Sequence, residues 1–182
     1  MPGIIEKSNH GLFENEVELC GHYSTIVKFL KDELHIFSTF HEAYLTAAVI
    51  GFVNSKKGTD KTTEKVQPAS IFPDQLRGRK TDFKFLYRVM MLVQDEPGYE
   101  NEDYIKRTFR IGADETTFEQ LKENMLIFND YACGGLEILY EKFKDTIEDS
   151  VIDTTYDFMC DFMKEVNLIE DDSLPDFTPN FH

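Results

Sequence analysis

YACGGLEILYEKF, residues 131–143, sets Gly134 and Gly135 inside a run whose apolar residues fall three and four apart. Glycine in a helix interior costs about 1 kcal/mol relative to alanine, so the pair needs an offset. The simplest is a second helix lying so close that a β-carbon would not fit. A kink is the next explanation, and a ligand lying on bare backbone the third. A partner for the crossing is visible upstream, where Ala43, Ala47 and Gly51 recur at steps of four with Ala48 beside them. In a membrane such a row would suggest helix pairing. In a soluble chain of this length it implies a tight crossing inside the core.

The helical pattern extends outward from this pair. Residues 116–147 read as one long helix, with Phe118, Leu121, Met125, Phe128, Ala132, Leu136, Leu139, Phe143 and Ile147 on its buried side. Ser38 or Thr39 caps a helix over Phe40–Val53. A first helix is expected from Glu14, carrying Val17, Leu19, Tyr23, Ile26, Val27, Leu30 and Leu34, with Gly21 tolerated inside it. Thr81 or Asp82 opens a third helix through Gln94, and a short one follows over Glu100–Phe109. Ser150 with Asp153 has capping-box spacing for a last helix to about Leu168. Its buried set is Val151, Ile152, Thr155, Phe158, Met159, Phe162 and Val166. Residues 54–80 carry Gly58, Pro68, Pro73 and Gly78 and hold no sustained period. They read as a long loop, pinned by Ile71, Phe72 and Leu76 in a short helical turn. No alternating strand pattern is evident. The expectation is all-α: an irregular bundle of five to six helices with a long basic loop between helices 2 and 3. Residues 1–168 form a single helical domain and 169–182 an extended acidic and aromatic tail.

Composition bounds the rest. A chain of 182 residues with 16 Phe and 8 Tyr can bury a substantial core despite a net charge of −15. The longest apolar run, Ala47–Val53, is too short to span a bilayer, and the N-terminal residues lack the pattern of a signal peptide. Cys20, Cys133 and Cys160 are odd in number and widely spaced, which argues against a disulfide framework and for the cytoplasm.

Charge is unevenly placed. Residues 54–88 hold nine bases against four acids, a local +5 that leaves −20 for the remainder. Residues 145–182 hold eleven acids against one lysine. Within the acidic part, Glu137, Glu141, Asp145, Asp149, Asp153, Asp157, Asp161 and Glu165 stand at every fourth position. Like charges one turn apart repel by roughly 0.2–0.5 kcal/mol per pair. The row is either a solvated face or a docking surface for a basic partner, and it repels nucleic acid. Lys56, Lys57, Arg77, Arg79, Lys80, Lys84 and Arg88 form the opposite surface. There, Phe83, Phe85 and Tyr87 interleave with cations, a mixture found where rings stack on bases. With −20 elsewhere, an acidic protein is the better partner.

Signatures of catalysis are sparse. No HExxH, GxSxG or phosphate-loop pattern occurs. Glu14, Glu18 and His22 fall at steps of four, as metal ligands on one helix would. One helix cannot complete a coordination shell, so no metal site and no cofactor is expected. The sequence points to a non-catalytic helical adaptor or accessory subunit. It would bind partner proteins through the acidic C-terminal surface and the basic loop, with no membrane role and with homo-oligomer formation open. The alternatives are a nucleic-acid-associated accessory factor of a DNA-processing or phage-defence system, using 54–88, and a helical enzyme with a Glu/Asp/His site. LPDFTPNFH, at the C-terminus, resembles short segments that bind grooves on other proteins.

Overall fold

The computed structural model describes residues 3–6, 11–58, 65–94, 97–111, 117–147 and 150–166. They form two compact units, Met1–Glu141 and Lys142–His182. The chain is mostly helical. Its elements, in order, are β1 (Ile4–Glu6), β2 (Val17–Leu19), α1 (His22–Lys28) continued by a π-helical turn (Phe29–Glu33), and α2 (Phe40–Val53). Then come β3 (Ala69–Ile71), α3 (Pro73–Gly78), α4 (Lys80–Val93), α5 (Asn101–Phe109), α6 (Phe118–Phe143) and α7 (Val151–Glu165).

The helical content agrees with the all-α expectation, to which the three strands add a small sheet. They form one antiparallel sheet in the order β1-β2-β3, pairing Ile4 with Leu19, Val17 with Ile71 and Leu19 with Ala69. The seven apolar residues assigned to a first helix are all buried, but they belong to two periods. Val17 and Leu19 are two apart and alternate with outward Glu18, as in a strand. Tyr23, Ile26, Val27 and Leu30 follow at helical spacing. Gly21, at φ 54°, separates the two patterns in a conformation that disfavours other residues. Within 54–80 the expected short helical turn is α3, with Leu76 buried, and the strand β3 is the unexpected addition.

The crossing read from the glycines is present. A β-carbon on Gly51 would lie 2.8 Å from the Gly135 amide nitrogen, and one on Gly135 would lie 2.9 Å from Ala47 Cα. Helices α2 and α6 therefore meet backbone to backbone. Gly134 faces a different neighbour, the segment 56–58, where its β-carbon would lie 2.6 Å from the Lys56 carbonyl carbon. That segment is tied down at both ends: the Lys56 amide donates to Gly51 O and the Gly58 amide to Asp130 O, each at 2.8 Å.

Around the crossing, the long helix buries Leu121, Met125, Phe128, Ala132, Leu136, Leu139 and Phe143, as its period predicts. It ends at Phe143, however, and Ile147 is exposed. Phe13 inserts its ring between Phe83 (centroids 4.9 Å apart) and Phe128 (5.3 Å), and Tyr44 contacts the same two rings. Phe13 holds φ at 57°, a strained conformation for a bulky residue that costs about 1–3 kcal/mol. Burying its ring offsets a similar amount. Thr39 caps α2 through a reciprocal box, its hydroxyl accepting from the Glu42 amide at 3.3 Å while Glu42 accepts from the Thr39 amide at 3.1 Å.

In the second unit, Phe143, Phe158 and Phe162 form a ring cluster with centroids 6.0 and 6.4 Å apart. The expected α7 face is only half covered: Phe158 and Phe162 are half-buried, while Ile152 and Met159 face water. Ser150 precedes α7 without a capping bond. Its hydroxyl donates instead to the Ile147 carbonyl at 3.0 Å.

Gly51→Ala and Gly135→Ala should each destabilise the fold by about 3 kcal/mol or more, because the clash is with main chain that cannot move aside. Gly78, with open space around it, provides the control. Gly78→Ala should be neutral or stabilising by up to about 1 kcal/mol. Urea denaturation of the three variants measures both effects.

Candidate interaction surfaces

Carboxylates four residues apart advance about 40° beyond a full turn, so the acidic row winds and its members meet different surroundings. Glu137 is drawn inward, with a side chain only 12% exposed. Tyr23 Oη donates to its Oε1 at 2.7 Å, and Lys56 Nζ lies 3.3 Å from its Oε2. Lys56 and Glu137, placed on opposite partner surfaces by sequence, thus satisfy one another. Within the second unit Asp161 pairs with Lys142 at 3.5 Å. Glu141, Asp145, Asp153, Asp157 and Glu165 are exposed. Of these, Asp145, Asp153, Asp157 and Glu165 make no ion pair among the described residues. Asp149 lies outside the described residues, as do 167–182, including the terminal aromatic segment.

Most of the basic row is likewise engaged. Lys57 Nζ sits 5.2 Å above the Tyr131 ring. Arg77 pairs with Asp74 at 3.0 Å and Arg79 with Asp82 at 3.4 Å, both exposed pairs worth little. Lys80 hydrogen-bonds Glu14. That bond, reinforced by the charges of Lys80, Lys84 and Arg77, holds the Glu14 carboxyl below its ordinary 4.5. Partial burial, with the Lys80 charge second, lowers the Lys84 ammonium. Arg88 stands over the Phe109 ring, 5.3 Å from its centroid. Of the interleaved rings, Phe83 and Tyr87 are fully buried and only Phe85 projects, 70% exposed. Two of the three rings offered for base stacking therefore belong to the core.

The potential ligand set Glu14, Glu18 and His22 is dispersed. Glu14 lies in coil, Glu18 in β2 and His22 at the start of α1. Among the described residues no three His, Cys, Asp or Glu side chains group as metal ligands would. Cys133 is buried against the 56–58 segment. Burial first, then the Asp130 and Glu137 carboxylates, push its thiol far up, so it stays protonated and unreactive.

One polar network gave no sequence signal beyond a polar inner face on α5. Arg107, only 3% exposed, donates from Nε to Asn124 Oδ1 at 3.1 Å. Asn124 Nδ2 in turn donates to Tyr87 Oη at 3.0 Å. Burial raises the Tyr87 phenol. The guanidinium lies 5.6 Å from the Tyr99 ring centre, beside a cavity of about 180 Å³. Lys106 with Arg107 and Asp103 with Glu123 line it, so the walls balance in charge and select no ligand class. No described helix is long and apolar enough to cross a membrane.

No protein-family model, curated protein or solved structure matches the chain.

Native protein treated with a thiol reagent should label at half-exposed Cys20, with Cys133 and Cys160 reacting only on unfolding; site-resolved mass spectrometry reads this. Tyr23→Phe should cost about 1.5–3 kcal/mol, the worth of a hydrogen bond to a carboxylate. Because Glu14 is depressed in the fold, its pairing stabilises above pH 4.5 and is lost as pH falls through the lower folded value. Lys80→Met should flatten that part of the acid-unfolding curve.

Proposed function

We propose that this chain is a non-catalytic helical adaptor or accessory subunit that recruits partner proteins by charge. The observation that carries this reading is the run Asp145, Asp153, Asp157 and Glu165, all exposed and none in an ion pair among the described residues. A helix that holds repelling carboxylates on its wet side without neutralising them is suited to a cationic surface. The field of the acidic third would speed such an encounter and make it salt-dependent. The basic stretch supplies a second, smaller surface centred on Arg88, since Lys56 and Lys80 are spent inside the molecule. Burial of Phe83 and Tyr87 weighs against base stacking and so against the nucleic-acid reading.

The test is affinity capture with the intact chain and with an Asp145→Asn/Asp153→Asn/Asp157→Asn/Glu165→Gln variant. The intact chain should retain a stoichiometric protein that elutes with salt. The variant should bind that protein roughly tenfold or more weakly, at about 0.2–1 kcal/mol per exposed charge. Equal binding by both, or tight salt-dependent binding of labelled duplex or single-stranded nucleic acid, contradicts the reading.

A further inference from the structure

After α2 the chain turns at Ser55 and runs back along α6 as Lys56, Lys57 and Gly58. Its course opposes that of α6: Lys56 lies at Gly134 and Glu137, and Gly58 at Cys133 and Asp130. Asp130 and Glu137 are seven residues apart, so they share one side of α6 and stand about 10.5 Å apart along it. Between them the helix presents bare main chain at Gly134, where a β-carbon would lie 3.0 Å from the Lys57 carbonyl carbon. The result is a shallow channel on α6 with an acidic residue at each end.

Charge and main chain alone hold the segment that fills this channel. Residues 54–58 carry no apolar side chain. Lys56, with a side chain 38% exposed, meets Glu137. Lys57 stands over Tyr131, and its charge acts on Asp130. The turn that delivers the segment is strained, because exposed Ser55 holds φ at 51°, in the left-handed region that residues with a β-carbon avoid. Segments with few apolar contacts and a strained, exposed entry open at low free energy. Glu137 is held differently. Its carboxylate is mostly covered and accepts from Tyr23 Oη, so it stays in place when Lys56 leaves.

We propose that this channel is a docking site for an extended, lysine-bearing segment of a partner protein, and that residues 56–58 are its internal competitor. A basic segment from another molecule offers the same groups: an ammonium for Glu137, a second beside Asp130 and Tyr131, and an amide for the Asp130 carbonyl. Binding must displace the chain's own segment, so the apparent affinity is reduced by the fraction of molecules in which that segment is lifted. The proposal rests on the adaptor reading only for the partner's positive charge. It uses none of the four carboxylates that carry that reading.

The test uses the full chain and a labelled peptide with the sequence of residues 54–58, NSKKG, against a control peptide with both lysines replaced by glutamate. Ser55→Val makes the left-handed turn costlier, and Lys56→Ala removes the competing ammonium; circular dichroism checks that each variant is folded. Each should bind the lysine peptide about tenfold or more tightly than the unaltered chain does, and adding Glu137→Gln should abolish the gain. Hydrogen exchange provides an independent measurement. The Gly58 amide should exchange by local opening, faster than amides at the centre of α6, and faster still in Ser55→Val. Opening leaves the Cys133 sulfur packed against the chain at Gly3, so thiol labelling does not report this step. Equal binding by all the chains, no preference for the lysine peptide, or a Gly58 amide that exchanges only on global unfolding overturns the proposal. Failed protein capture through Asp145, Asp153, Asp157 and Glu165 would defeat the adaptor reading alone, because the peptide experiment does not involve those residues.

Discussion

Main chain touches main chain where α2 crosses α6, and the first unit is arranged around that contact. Gly51 and Gly135 bring the two backbones together beside Ala47, and Gly134 admits the 56–58 segment on the adjoining face. Two glycines in α6 surrender about 2 kcal/mol of helix propensity relative to alanine. The close approach returns dispersion contacts that larger side chains would prevent. It also fixes where the neighbours go. Phe52 packs edge-on against Tyr131, and Tyr44 hydrogen-bonds Asn129 at 2.5 Å while contacting Phe83 and Phe128. Tyr23 and Lys56 converge on Glu137 from α1 and from the segment after α2.

That crossing was legible in the sequence because small residues at steps of four have few other physical explanations. The boundaries of α2 and its Thr39 cap were legible for similar reasons. The sheet was not. Strands of three residues are too short to establish alternation, and Val17 and Leu19 could be absorbed into the helical spacing that follows. Gly21 marked the change of period, but a glycine in a helical pattern is ambiguous until its φ is known. Ser150 shows the reverse error: right spacing for a capping box, yet its hydroxyl turns back to the Ile147 carbonyl.

Charge was legible as a total and illegible as a surface. The count of +5 against −20 cannot reveal that Lys56 meets Glu137, that Lys80 meets Glu14, or that Arg77 and Arg79 pair within their own turns. After these pairings, the available cations shift from the loop to Arg88 and to α5, which the sequence did not single out. The available acids shift toward the end of the row, because Glu137 lies beneath Lys56. Apolar exposure follows the same lesson. Helical spacing assigned Ile152 and Met159 to a buried face, but α7 covers only part of its wide apolar side.

The crossing is most directly tested by nuclear Overhauser contacts in the assigned spectrum of the intact chain. Gly51 directs an α-proton at the Gly135 amide where a side chain would otherwise stand, so a strong cross-peak between those protons is expected, together with one between Gly135 Hα and Ala47 Hα. Well-resolved resonances for all three residues with neither cross-peak would contradict the account at its base.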